Sequence, residues 1–280
     1  MKTSKSAIRL WAGGLVLALG GIAGLVNACS SDPVVGPAAD AASDSAVLPG
    51  EDATIGTDAS RDAGGDTGCV ADPGAADSGV ALSMDASDDA GDPVGDAGAF
   101  TLAQALSGFP AGPGVLTARI DTELGQIVCR LDEAAAPVSV ANFVGLARGT
   151  RPYLKDRAWT FGKFYDDLLW HRVIPGFVIQ GGDPQGTGAG GPGYSLPNEN
   201  HVAQELGVLS MAASNPTPTE FVPSGSQFYI VVGRGPKSDY NVFGKCTVDV
   251  AQAISAVERR TNDKPKVAIR MKVAIERCPK

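Results

Sequence analysis

From Ser30 to Gly98 the chain carries 15 acidic residues against one basic residue, Arg61, and is otherwise dominated by Ala, Gly, Ser and Pro. Such a stretch cannot bury enough apolar surface to offset the entropy of ordering it. It is expected to be a disordered, self-repelling tether, spanning roughly 45 Å root-mean-square. The net charge of −8 therefore belongs to the tether, which alone carries −14, while residues 101–280 carry about +3. The fold must come from the last 170 or so residues, a length that suits one domain. The acidic clusters (Asp85, Asp88, Asp89, Asp92) lack the D-x-D-x-D-G spacing and closing Glu of a calcium loop, so no metal is expected there.

The N-terminus reads as a targeting segment. Lys2, Lys5 and Arg9 precede an apolar run from Leu10 to Val26, and Val26-Asn27-Ala28-Cys29 resembles a bacterial lipobox. Cys29 is then the expected lipidation site. The anchor draws about 0.8 kcal/mol from each buried CH₂ of its acyl chains. Ser30 and Ser31, with no Asp at the position next to the cysteine, point to the cell envelope, on the outer membrane or the periplasmic side. The expected organisation is a signal peptide over 1–28, an acidic linker over 29–110 and a globular domain over 111–280.

Within that domain, Leu116–Asp121 and Gln126–Leu131 read as strands joined by a Gly-containing turn at Glu123–Gly125. Pro137 and Val138 open a helix whose apolar positions Phe143, Val144 and Leu146 fall near helical spacing, and Gly149 stands where a C-cap belongs. Thr150–Lys163 is polar and reads as a surface excursion. Further strands are expected at Gly207–Met211, Gln227–Val232, Val242–Lys245 and Lys266–Ile275, with a second amphipathic helix at Asp249–Arg260. Many short strands and two helices suggest a mainly β fold, a closed antiparallel barrel with helical caps.

One stretch, Tyr165 to Tyr194, concentrates the chemistry: YDDLLWHRVIPGFVIQGGDPQGTGAGGPGY. Arg172 stands just before a Pro175-Gly176 turn, Phe177 and Gln180 just after it, and seven glycines follow between Gly181 and Gly193. The glycine loop lacks G-x-x-x-x-G-K-[ST], so it is no phosphate cradle. His171 reads as a buried structural residue, and His201 has no triad company. Cys69, Cys129, Cys246 and Cys278 contain no C-x-x-C pair, which argues against zinc. Export favours disulfides, but sequence leaves open both the pairing and the alternative of free buried thiols. No cofactor and no nucleic-acid partner are expected.

These residues resemble the cyclophilin family of peptidyl-prolyl cis-trans isomerases. WHRVIPGFVIQGGDPQGTGAGG (Trp170–Gly191) is similar to the family signature, and PVSVANFVGLARG, GVLSMA, GSQFYI and NVFGK match its other blocks in order. The resemblance covers Leu116 to Cys278. It implies an eight-stranded closed barrel capped by two helices, with Arg172, Gln180 and Phe177 catalytic. It also implies substrate binding by Val178, Gly188, Met211, Ala212, Ala213, Gln227, Tyr229 and Tyr240. Partners would be proline-containing peptides and unfolded, exported protein clients, bound by a monomer.

Two departures bear on activity. The loop Gly233–Tyr240 has neither the Trp nor the Leu that wall the pocket in many family members, and Ser214–Ser224 is longer than in the shortest ones. A thin wall implies a catalytically weak, proline-peptide binding module as the alternative to an active isomerase.

Overall fold

The computed structural model describes residues 68–73, 84–85, 97–200, 202–217, 220–236 and 240–280. The signal segment, Cys29, most of the acidic stretch, His201 and residues 237–239 lie outside the described residues. In chain order the strands are β1 (Val70–Ala71), β2 (Met84–Asp85), β3 (Val115–Thr122), β4 (Gly125–Leu131), β5 (Tyr153–Lys155) and β6 (Ala158–Thr160). They continue as β7 (Arg172–Val173), β8 (Val178–Gly181), β9 (Val208–Thr217), β10 (Glu220–Val231), β11 (Val242–Cys246) and β12 (Lys272–Cys278). The helices are α1 (Leu102–Ala105), α2 (Pro137–Arg148) and α3 (Asp249–Ser255).

Nine strands form one sheet in the order β1-β12-β3-β4-β11-β9-β10-β8-β7, and β2-β6-β5 form a second. The architecture is mainly β. Eight strands, β12 to β7 in this order, are joined at one end by a ninth, β1, and the end strands β1 and β7 are not paired with each other. The extra strand comes from the acidic stretch.

The strands follow alternation. In β3, Leu116, Ala118 and Ile120 are fully buried, as are Ile127 and Cys129 on the paired β4. Phe143 of α2 packs on this core among Tyr165, Phe228 and Phe243, with ring centroids 4.9–5.4 Å apart. Burying one such side chain contributes about 1.5–3 kcal/mol. Pro137 sits at the start of α2, where its missing N–H costs nothing. Its N-terminal donors are met from 60 residues away: the Glu199 carboxylate accepts from Val138 N (2.7 Å) and Ser139 N (2.8 Å). A carboxylate at that end also complements the helix dipole. Gly149 ends the helix in the left-handed region, φ 78°, as expected.

Three expectations change. Residues 97–110, placed in the linker by composition, fold onto the domain: Phe100, Leu102, Leu106 and Phe109 pack against the core, and Thr101 and Gln104 form a capping box on α1. Gly145 makes this docking possible, since a Cβ there would stand 2.6 Å from the Phe100 ring. The Arg151 guanidinium lies over both Phe100 and Tyr194, at 4.7 and 4.4 Å. Farther upstream, β1 pairs with β12, and Asp72 meets the buried Arg148 at 2.8 Å. Four apolar side chains and one carboxylate outweigh the acidic average of their neighbourhood.

The Thr150–Lys163 excursion contains the β5–β6 hairpin, turned at Asp156 and Arg157, both at positive φ. α3 is shorter than predicted and β12 begins later, because Arg260 to Lys264 forms a turn closed by Arg260 N donating to Lys264 O at 2.8 Å. Both cysteine pairings are disulfides: Cys69–Cys278 and Cys129–Cys246.

Candidate active site

The β7–β8 hairpin sets the site. Ile174 N donates to Val178 O at 2.8 Å, and Gly176 takes φ +69° in the Pro-Gly turn. From β10 and the residues after it, Val232 N donates to Phe177 O and Arg234 N to Gly176 O, each at 2.9 Å, so the turn is fixed. Pairing then aligns Arg172 with Gln180, Gln180 with Tyr229, and Tyr229 with Ser210, one row crossing β7, β8, β10 and β9. Directly opposite residues share a sheet face. Arg172 and Gln180 are half-buried there and Tyr229 is buried.

Beside this row Val178, Tyr229, Val208, Val231 and Val242 form a small apolar cluster with Phe177, Ala212 and Tyr240 packed against it. Five of the residues nominated from sequence meet in that cluster. Tyr240 stands edge-on to Tyr229, centroids 5.3 Å apart.

The glutamines form a relay. Gln180 Nε2 donates to Gln227 Oε1 at 2.9 Å, and Gln227 Nε2 donates to the carbonyls of Gly188 (3.0 Å) and Gly190 (2.8 Å). This ties the glycine loop to the β8–β10 face. A cavity of about 630 Å³ opens alongside, lined by Gln180, Gly188, Ala212, Ala213, Val222 and Gln227 among others.

The register puts Met211 opposite Phe228, one position off the site row, so its side chain points into the core and is fully buried. Its amide donates to Asn241 O at 3.0 Å.

Sequence reasoning missed three contributors. Asp183, 1% exposed, accepts from the backbone N–H groups of Gln185 (2.7 Å), Thr187 (2.8 Å) and Gly188 (2.5 Å). An Asp after Gly-Gly, before a run of small residues, was the available signal for such a loop-organising carboxylate. The preceding Gly182 must be glycine: it holds φ +82°, and a Cβ there would lie 2.3 Å from Ser226 O. Gln204 accepts from both Tyr229 OH (2.8 Å) and Ser210 Oγ (2.9 Å), giving the buried phenol its partner. Phe221 reaches Tyr240 from β10. The last two arise from tertiary contacts and leave no local signal.

Burial raises the Tyr229 and Tyr240 hydroxyls above the ordinary phenol range, against a weaker lowering by the Ser210 hydroxyl and Arg172 respectively. Burial alone would raise Asp183, but the backbone donors Gln185, Gly188, Gly190 and Thr187 prevail and hold it below the usual carboxylate value. Burial also lowers His171, against the pull of Asp183. The signs give a pH prediction. Activity should be flat from about pH 7 to 9, where the phenols stay protonated and the arginine charged. Both depressed groups contribute stability that is complete above their unfolded pKa values, about 6.5 and 3.9, and is lost as pH falls through the folded ones. Denaturant midpoints should therefore decline from about pH 6 downward, and again below about pH 4, as the glycine loop's anchor protonates.

The family model described as cyclophilin type peptidyl-prolyl cis-trans isomerase/CLD matches residues 117–277. The chain belongs to the cyclophilin family. It is 42% identical over 161 residues to peptidyl-prolyl cis-trans isomerase A of Mycobacterium tuberculosis, covering 53% of this chain and 85% of that one. Against peptidyl-prolyl cis-trans isomerase B of Bacillus subtilis it is 45% identical over 127 residues, covering 44% and 76%. A crystal structure of a Cryptosporidium parvum cyclophilin superposes with a TM-score of 0.50 at 26% identity, covering 59% of this chain and 99% of that one. This cyclophilin is a peptidyl-prolyl cis-trans isomerase. The family match begins at Thr117, so the docked residues 68–73 and 97–110 lie outside it.

Proposed function

We propose that Arg172, Phe177 and Gln180 carry the isomerisation, and that Val178, Gly188, Ala212, Ala213, Gln227, Tyr229 and Tyr240 hold a proline-containing peptide. The observation that carries this reading is the row Arg172–Gln180–Tyr229 running beside the apolar cluster of Phe177, Val178, Ala212 and Tyr240. Rotation about an X-Pro bond faces a barrier of about 18–20 kcal/mol, set by amide resonance. A donor to the prolyl nitrogen weakens that resonance as the nitrogen pyramidalises. The Arg172 guanidinium is a permanently charged fork of such donors. Gln180, opposite it and fixed through Gln227, keeps a carbonyl oxygen to orient the fork. The apolar cluster seats the proline ring while the acyl side turns, so that stabilisation is applied where charge develops.

Closure of the sheet into a barrel is supported by hydrogen bonds between the chain before β7 and the chain before β12. Trp170 N donates to Ile269 O (3.0 Å), and Met271 N donates to Leu168 O (2.9 Å).

Exported, unfolded proteins are the clients in this reading, and Cys29 is the lipid anchor at the cell envelope. Two disulfides in the described residues suit an oxidising compartment. Isomerase assays on fractions from cells expressing the full chain test the reading. Wild type should place the activity with the membranes, and Cys29→Ala should move it to the soluble fraction undiminished. Activity that stays membrane-bound in Cys29→Ala would remove the anchor from the account.

A further inference from the structure

The apolar cluster has an outer member that no motif identifies. The Phe221 ring stands edge-on to Tyr240, centroids 4.7 Å apart and planes at 78°. Tyr240 in turn stands edge-on to Tyr229, at 5.3 Å and 86°. Tyr240 is thus held between an inner ring that faces the site and an outer ring that comes from the β9–β10 hairpin.

Phe221 and Tyr240 are both fixed in place. Asn198 Nδ2 donates to Phe221 O at 2.8 Å, Leu196 N donates to Pro223 O at 3.0 Å, and Ser195 bridges Ser224. The near side of the hairpin is therefore stitched to the segment 195–198 at Phe221, Pro223 and Ser224. That segment is itself locked to the neighbour of Tyr240. Asn241, 1% exposed, accepts from Glu199 N (2.9 Å) and donates to Pro197 O (2.8 Å). One polar web thus fixes the backbone of both Phe221 and Tyr240. The next residue, Val222, lines the 630 Å³ cavity beside Gln180. The two neighbouring side chains serve different surroundings, Phe221 packing on Tyr240 and Val222 lining the cavity.

We propose that Phe221 is a positioning residue for the proline seat, setting its width by bracing Tyr240 against Tyr229. The proposal rests on the assignment of that cluster as the seat. The seat holds the proline ring alike before and during rotation, so its width governs binding and leaves the turnover step alone. A rigid aromatic brace on the lengthened hairpin stands in for the Trp and Leu that the sequence of the loop Gly233–Tyr240 does not carry.

The test is steady-state isomerisation of an X-Pro tetrapeptide by the full chain, with wild type, Phe221→Ala, Phe221→Tyr, Tyr240→Ala and the Phe221→Ala/Tyr240→Ala double variant. Loss of one edge-on aromatic contact predicts that Phe221→Ala raises KM by about three- to tenfold with kcat within twofold. Phe221→Tyr, which keeps the ring, should restore KM. In the double variant the two effects should not add, because Phe221 acts through Tyr240. Unchanged KM in Phe221→Ala, failure of Phe221→Tyr to restore it, or strict additivity would overturn the proposal. Arg172→Ala serves as the control for the site itself. If Arg172→Ala keeps full activity the site assignment fails first, whereas loss there beside an unmoved Phe221→Ala rejects only the brace.

Discussion

Arg172→Ala should lower kcat/KM for an X-Pro peptide by about 10²–10³-fold, the loss seen when one transition-state donor is removed. The fall should appear equally in kcat and kcat/KM, because the guanidinium acts on a nitrogen whose lone pair is freed only as the amide twists. Binding of the proline ring rests on Phe177, Val178 and Tyr229 and should persist. Arg172→Lys is expected to recover little: an ammonium cannot present the planar fork that Gln180, its cross-strand partner, is placed to orient. Gln180→Ala should fall in between, since it loosens the arginine and cuts the link from Gln180 to Gln227 at once. Two-dimensional exchange NMR on the full chain separates these cases, because it reports bound peptide and interconversion rate together. A tenfold loss or less in Arg172→Ala would mean that the pocket, through desolvation and ring positioning, supplies most of the acceleration.

Much of this site was legible because its chemistry is local. The order Arg172, Pro-Gly turn, Phe177, Gln180 is a hairpin written in sequence, and the hairpin pairing alone brings arginine and glutamine face to face. Two strand-like runs around the Gly-containing turn at Glu123–Gly125 placed β3 and β4, and Pro137 with Gly149 bounded α2. What failed did so where long-range contacts overrule composition. The linker assigned to 29–110 promised no structure, yet its Phe100, Leu102, Leu106 and Phe109 dock onto the core, and Asp72 finds Arg148 across 76 residues. The missing Trp and Leu implied a thin pocket wall. The aromatic that packs on Tyr240 comes from the lengthened hairpin instead, where no spacing rule would look for it. The cysteine pairs were open for the same reason: each joins residues more than a hundred positions apart.

Those two disulfides should differ in what they protect. A cross-link stabilises by restricting the unfolded chain, and separations of 117 and 209 residues give about 5 kcal/mol each as an upper figure, with about 2–4 kcal/mol typical. The gain is kept only if the native state orders both ends anyway. Cys129 and Cys246 lie opposite each other on β4 and β11, both buried, in strands that the sheet holds on each side. Cys129→Ala/Cys246→Ala should therefore cost about 3 kcal/mol, which for a domain of this size lowers Tm by roughly 6–12 °C. The segment bearing Cys69 lies at the edge of the sheet, where its holds include a two-residue strand, Asp72 N donating to Ile275 O and the Asp72–Arg148 pair. Without its cross-link it can leave the edge of β12 and regain the entropy that the unfolded chain would gain, so most of the difference cancels. Cys69→Ala/Cys278→Ala should shift the main transition by only a few degrees, while the amides of β1 and of Asp72 lose their hydrogen-exchange protection. Equal shifts in Tm for the two double variants would show that residues 68–73 are bound to the domain as firmly as its own strands. The docked segment would then count as part of the domain's cooperative fold.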